Sequence, residues 1–416
     1  MNDCVRKTIK YNLRHMLCII LLILCISGCS AEDSTAAPAG TPSPAVSAPA
    51  ASPSADSEPS DAATMPKQLI IGDKARDMAA QMTLDEKVYQ MMFVTPESIT
   101  GIGRVVQAGD TTRKALESKP VGGIIYFGAN IQSSEQVREM IANTQQYSKI
   151  PLFIGVDEEG GRVSRLGSNL PDFPEFPPMA EIGKSGNGAD AYRVGETLSA
   201  ALYDLGFNVN FAPVADLLLN PANTEIGDRA FGSDAEPVAD MVENAVLGLQ
   251  GGNVCAVLKH FPGHGSISID THKAHAESER TLSEMQAAEF IAFSRGIDAG
   301  ADFVLLSHLS AINVDPSGTP SSLSRIIIDI LQEQLGFEKL IITDSLGMGA
   351  VTGGYRTDSI GVIAINAGVD VILIPDSPEA MHRAILAAVQ SGEITEARIT
   401  HSVEKILQIK IDRGII

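Results

Sequence analysis

From about residue 67 onward, two kinds of hydrophobic pattern alternate along the chain. Short, nearly continuous apolar runs fall at 90–95, 122–127, 151–157, 208–214, 254–260, 302–308, 340–344 and 370–374. Runs of that length predict strands, and unbroken apolar character marks strands buried on both faces, as in a parallel sheet. Between them, apolar positions recur three and four apart, predicting helices over 191–205, 238–250, 283–299, 322–335, 359–367, 378–390 and 395–412. Thr83-Leu84-Asp85-Glu86 has capping-box spacing ahead of an apolar run, and Thr395 is placed to cap the final helix. Strands alternating with helices imply crossover connections, and eight such units fit a single (β/α)8 TIM-like barrel of the α/β class, with insertions. The competing architecture is an open doubly wound sheet. No Gly-x-Gly-x-x-Gly follows the first strand, so a dinucleotide fold lacks its fingerprint, and little chain remains after 374 for a second large domain.

Upstream of the barrel the pattern changes twice. Residues 1–15 carry Arg6, Lys7, Lys10 and Arg14 against Asp3, and an uncharged apolar run follows over 16–26. That run is short for a bilayer span, which takes about 20 residues. A basic start and a short apolar stretch form the pattern of a secretory leader, here 1–28. It ends Ile26-Ser27-Gly28-Cys29, which resembles a bacterial lipobox; Cys29 is the expected lipidated residue of a mature chain held at the cell membrane, outside the cytoplasm. Residues 29–66 are dominated by Ala, Pro, Ser and Thr without hydrophobic periodicity, the composition of a disordered tether. The expected organisation is therefore leader, lipidated tether, and a barrel over 67–416.

Composition adds two exclusions. Of five cysteines, Cys4, Cys18 and Cys25 lie in the leader and Cys29 in the lipobox, so only Cys255 remains and no disulfide forms within a mature chain. The whole chain has a net charge of −20; removing the leader, with its four bases and one acid, makes it three units more negative. Such an acidic protein is a poor partner for nucleic acid, whose binding rests on Lys and Arg contacts to phosphate.

The predicted strand ends are polar. Run three ends at Asp157, run four leads into Asp216, run five ends Lys259-His260, run six Ser307-His308 and run seven Thr343-Asp344. Carboxyl ends of barrel strands are where active sites form, so five polar ends on one face predict a site there. The segment after run five reads Lys259-His260-Phe261-Pro262-Gly263-His264-Gly265, with Asp270-Thr271-His272 beyond it. His260, His264, His272 and His275 also raise a metal cluster, but Pro262 and Gly263 interrupt the helix that would align the first two. No metal and no cofactor is expected.

This segment resembles the signature of glycoside hydrolase family 3, and within it the β-N-acetylglucosaminidase branch. Gly155-Val156-Asp157-Glu158-Glu159-Gly160-Gly161-Arg162, Asp228-Arg229-Ala230-Phe231-Gly232 and Ile341-Ile342-Thr343-Asp344 agree in order and spacing, over roughly residues 68–410. The resemblance implies Asp344 as nucleophile and an Asp270–His272 dyad on a loop as acid/base. A His with an ordinary pKa near ~6.5 can both give and take a proton at neutral pH, and its carboxylate partner orients the ring. The Gly- and Ser-rich context of 263–268 would let that loop swing over bound sugar. Asp157, Arg165, Arg229, Lys259 and His260 are the expected sugar-binding residues, with Asp157 as the partner of a buried Lys259. His264 is a candidate loop brace; His275 and His308 are weaker candidates. The segment after the nucleophile, Ser345-Leu346-Gly347-Met348-Gly349, departs from the family pattern, which bears on loop geometry and on the leaving-group preference.

The activity implied is retaining hydrolysis of terminal β-linked N-acetylglucosamine, a chemistry that needs groups on both faces of the sugar. Outside a bacterial membrane the expected substrate is a small peptidoglycan fragment; a Trp-free chain with seven Tyr lacks the aromatic platforms for gripping insoluble polymer. A phosphorylase on the same site and a catalytically silent glycan-binding lipoprotein are the alternatives. Nothing in the sequence sets the oligomeric state.

Overall fold

The computed structural model describes residues 69–267, 275–352 and 354–416. The leader at 1–28, the tether at 29–66 with Cys29, and the Asp270–His272 dyad all fall outside the described residues.

Eight parallel strands form the barrel: β1 Met92–Val94, β2 Gly123–Ile125, β3 Phe153–Val156, β4 Val209–Asn210, β5 Cys255–Phe261, β6 Phe303–Leu306, β7 Leu340–Thr343 and β8 Ile372–Leu373. They pair in the order β7-β6-β5-β4-β3-β2-β1-β8. A parallel bridge between Ile342 and Val371 joins β7 to β8 and completes the ring. The helices are α1 Asp73–Ala80, α2 Leu84–Gln90, α3 Asp110–Ser118, α4 Ser134–Tyr147, α5 Gly188–Leu205, α6 Ala235–Gly251, α7 Leu282–Gln286, α8 Glu289–Asp298, α9 Arg325–Asp329, α10 Ile360–Ala367, α11 Pro378–Ser391 and α12 Glu396–Asp412, with short turns besides. None of the described helices is long and apolar enough to cross a membrane.

All eight expected strands are present; β5 is as long as its apolar run and the other seven are shorter. The helices differ more. The one expected over 283–299 is two, because a capping box at Thr281 and Glu284 starts α7 and the backbone breaks at Ala288 before α8. The one over 322–335 is a 3-10 turn, the short α9 and a π-helical turn in succession. The capping box at Thr83 and Glu86 forms and starts α2.

The barrel interior is filled by phenylalanines made room for by glycines. Phe93 lies 5.4 Å from Phe211 and Phe153 lies 5.3 Å from Phe303, both edge-on. A Cβ on Gly123 would come within 2.9 Å of the Phe93 ring, and one on Gly155 within 2.7 Å of Phe211. Large rings on one strand therefore require no side chain on its neighbours, the interdigitation that close packing demands.

At the amino-terminal end, α12 supplies cations to the strand starts. Lys405 pairs with Asp370 just before β8. Arg413 and Lys339 pair with Asp302 just before β6, Lys339 at 3.0 Å. Lys410 is wholly buried, with its ammonium 5.1 Å from the centre of the Phe153 ring and 3.1 Å from the Gln90 side-chain oxygen. No carboxylate among the described residues pairs with it, and burial pushes its pKa down to about 7. In the unfolded chain it titrates near 10.5, so the unfolded state binds the extra proton between those values and stability rises with pH across that window. Lys410→Met is expected to raise the urea midpoint, most below pH 7 and least near pH 10, as followed by circular dichroism.

Candidate active site

The carboxyl ends of the strands enclose a cavity of about 290 Å³. Asp157 follows β3, Lys259 and His260 come from β5, Asp344 follows β7, and Leu373 and Ile374 close the wall at β8. Arg165 and Arg229 reach in from loops, so the expected nucleophile and the five expected sugar-binding residues line one space, whereas His275 lies at a separate pocket. In a regular strand, consecutive side chains point to opposite faces. The β5–β6 register shifts between Leu258 and Phe261, and this bulge turns both Lys259 and His260 to the cavity.

Charge in the cavity is arranged in two linked groups. Lys259 is buried, its Nζ 3.0 Å from Asp157 Oδ1 and 2.6 Å from Glu159 Oε1. Glu159 also accepts two bonds from Arg229, from Nε at 2.8 Å and Nη2 at 2.9 Å. Burial alone would raise the Glu159 carboxyl, but the two cations hold it far below the ordinary carboxylate range. The same cluster raises Lys259 and Arg229 against the lowering effect of their burial, so all three are charged. Arg165 lies 3.7 Å from Asp157 through Nη2 and stands over the Phe127 ring at 5.9 Å. Its buried Nε makes no hydrogen bond among the described residues.

A second group sits behind His260. Asp216 is completely buried and accepts from the His260 backbone N–H at 3.1 Å, from Nδ1 of the same ring at 2.7 Å, and from the His264 backbone N–H at 2.6 Å. Burial raises the Asp216 carboxyl, but His260 and His264 outweigh that and keep it below its ordinary range. A carboxylate only accepts, so Nδ1 carries the proton and Nε2 faces the cavity side, 3.5 Å from Arg229 Nη2. His264 is pushed down to about 4 by burial and by the neighbouring His260, so its ring is neutral at pH 7.

Asp344 is half-buried at the rim of β7. Its backbone N–H donates to Leu306 O at 2.9 Å, continuing the sheet, and its Oδ1 accepts from the Ser345 N–H at 2.7 Å. The arrangement holds one carboxylate at the mouth, opposite a cluster of fixed donors and acceptors of the kind that grips a ring of hydroxyls.

The sequence reading placed Asp216 and His308 among the polar strand ends; both are buried behind the cavity and act on its lining residues. Glu159 was not singled out, although it carries the electrostatics of the cluster. Its signal was the charge count: Arg165, Arg229 and Lys259 together exceed what Asp157 alone can neutralise. Glu158, next to it, points away, holding the Ser164 hydroxyl and the Leu166 N–H at 2.7 Å, and so shapes the turn that carries Arg165.

A parallel (β/α)8 barrel with a cavity at its carboxyl end, lined by a carboxylate and a cluster of ion pairs, has the build of a glycosidase. The sequence model of the glycosyl hydrolase family 3 N terminal domain matches residues 83–409, and the chain belongs to that family. It is similar to a β-hexosaminidase of Nitrosomonas eutropha, 32% identical over 76% of this chain and 93% of that protein. It is also similar to one of Xanthomonas oryzae pv. oryzae, 34% identical over 69% of this chain and 85% of that protein. Among solved structures, a glycoside hydrolase family 3 β-N-acetylglucosaminidase from Paenibacillus sp. superposes with a TM-score of 0.75 at 35% identity, covering 80% of this chain and 63% of that longer one. A β-N-acetylhexosaminidase from Beutenbergia cavernae gives 0.68 at 29% identity, covering 80% and 99%. The similarities within the family fall in its β-N-acetylglucosaminidase branch, and the protein is a glycosidase acting on O-glycosyl compounds.

Proposed function

We propose that the protein is a retaining exo-β-N-acetylglucosaminidase that removes terminal β-linked N-acetylglucosamine from peptidoglycan-derived fragments. The observation that carries this reading is the gathering of Asp344 with Asp157, Arg165, Arg229, Lys259 and His260 around one small cavity. The cavity lies at the lower end of small-molecule sites, which suits a single sugar at a chain end. Asp344 attacks the anomeric carbon, while the leaving oxygen takes a proton from His272, held by Asp270. Water then gives its proton back to His272 as its oxygen displaces Asp344, releasing the sugar with its configuration retained. Asp157 accepts from hydroxyls of the sugar, and Arg165, Arg229, Lys259 and His260 surround its remaining oxygens. Lipidation of Cys29 would hold the enzyme on the outer side of the membrane, where wall fragments are the available glycan.

The test is turnover by the chain from Pro66 onward of p-nitrophenyl β-N-acetylglucosaminide beside p-nitrophenyl β-glucoside, in buffers with and without phosphate. Release from the first substrate alone, at a rate indifferent to phosphate, is expected. N-acetylglucosamine 1-phosphate among the products would move the reading to a phosphorylase. Binding of muropeptides without turnover of any of them would move it to a glycan-binding protein.

A further inference from the structure

A buried histidine outside the cavity wall acts on the nucleophile segment. His308 follows β6 and is completely buried. Its Nε2 lies 2.9 Å from the Ser345 carbonyl oxygen and its Nδ1 lies 2.7 Å from the Ser322 hydroxyl. A carbonyl only accepts, so Nε2 carries a proton and donates it to Ser345, and the Ser322 hydroxyl holds the ring at Nδ1. Ser322 is itself fixed, being buried with its N–H donating to the Ser307 carbonyl at 3.0 Å. Ser345 is the residue whose N–H binds Asp344 Oδ1 at 2.7 Å. A chain of hydrogen bonds therefore runs from the β6 end through the imidazole to the residue that fixes one oxygen of the Asp344 carboxylate.

The segment it holds has little intrinsic rigidity, since Ser345-Leu346-Gly347-Met348-Gly349 contains two glycines. The Leu346 N–H also ties this segment to the barrel, donating to the Leu373 carbonyl at 3.0 Å. We propose that His308 is a positioning residue for Asp344: it pins the Ser345 peptide so that Oδ1 stays occupied and Oδ2 is presented to the anomeric carbon. This rests on the reading of Asp344 as nucleophile. Orientation of a reacting group acts on the chemical step, so its loss lowers kcat while substrate binding at Asp157, Arg165 and Lys259 is untouched.

The test compares His308→Ala and His308→Gln with the unaltered protein on p-nitrophenyl β-N-acetylglucosaminide. Active sites are counted by tight binding of a β-N-acetylglucosaminidase inhibitor, so that loss of folded protein does not count as loss of rate. His308→Ala is expected to lower kcat per site by about thirtyfold with KM within about threefold. Glutamine keeps a donor for the Ser345 carbonyl and is expected to recover most of that loss. Should the alanine variant not fold, Ser322→Ala, which releases the ring, is expected to lower kcat per site severalfold and decides alone. Equal kcat per site in the variants and the unaltered protein, or a loss carried by KM, would overturn the proposal. Failure of the underlying reading looks different: Asp344→Asn would then retain turnover, whatever His308 does.

Discussion

Asp344→Asn is expected to lower kcat on p-nitrophenyl β-N-acetylglucosaminide by roughly a thousandfold or more, about 4 kcal/mol of barrier. Asparagine is a near-isostere that still accepts from the Ser345 N–H, so the segment keeps its place. What it loses is the negative charge that, on the proposed function, attacks the anomeric carbon. The position is half-buried at the mouth and the exchange preserves shape, so the melting temperature is expected to change little. The signature of a nucleophile is rescue: Asp344→Ala with added azide should recover turnover and release the azido sugar with inverted configuration. Loss of rate without any rescue would assign Asp344 to structure or binding instead.

Glu159→Gln is expected to act on stability as strongly as Asp344→Asn acts on rate. Glu159 faces both Lys259 and Arg229 in a buried setting, and glutamine leaves Lys259 to Asp157 and Arg229 to the less buried Glu225 at 3.5 Å. Removing one partner of a buried ionic group typically costs about 3–5 kcal/mol. The carboxyl is buried, which would raise it, yet Lys259 and Arg229 depress it well below its unfolded value near 4.5. A depressed carboxylate contributes stability that is complete above about pH 4.5 and is lost as acid protonates it in the folded state. The gap between the unaltered protein and the variant, read from urea unfolding, is therefore expected to be widest at neutral pH and to narrow in acid. A constant gap from pH 7 to pH 3 would show that Glu159 acts through packing rather than charge.

Much of this architecture is legible before any coordinates, for a physical reason. Strands buried on both faces write themselves as apolar runs, and a barrel puts its chemistry where those runs turn polar. Asp157, Lys259-His260 and Asp344 were readable from that rule alone. Helices α3 and α4 went unnoticed because they bury narrow faces, in α4 only Val137, Met140, Ile141 and Thr144. Strand lengths were overread because burial continues past the last ladder bond, as at 370–374 around β8. The choice between Glu158 and Glu159 could not be made from sequence. Adjacent acids in a hairpin diverge, and only the bulge between the paired strands decides which faces Lys259. Asp216 and His308 were seen as site residues, but which side of the wall they occupy depends on loops that carry no periodic signal.

The pairing of β1 with β8, and the cations of α12 under the strand starts, have a consequence in time. The first strand lacks one of its two neighbours until β8 has been made. Asp370 lacks Lys405, and Asp302 the second of its two cations, until α12 and Arg413 have emerged. Contacts this distant in sequence close late and slowly. Until β8 has been made, a growing chain therefore carries a sheet with a raw edge, dependent on whatever shields that edge.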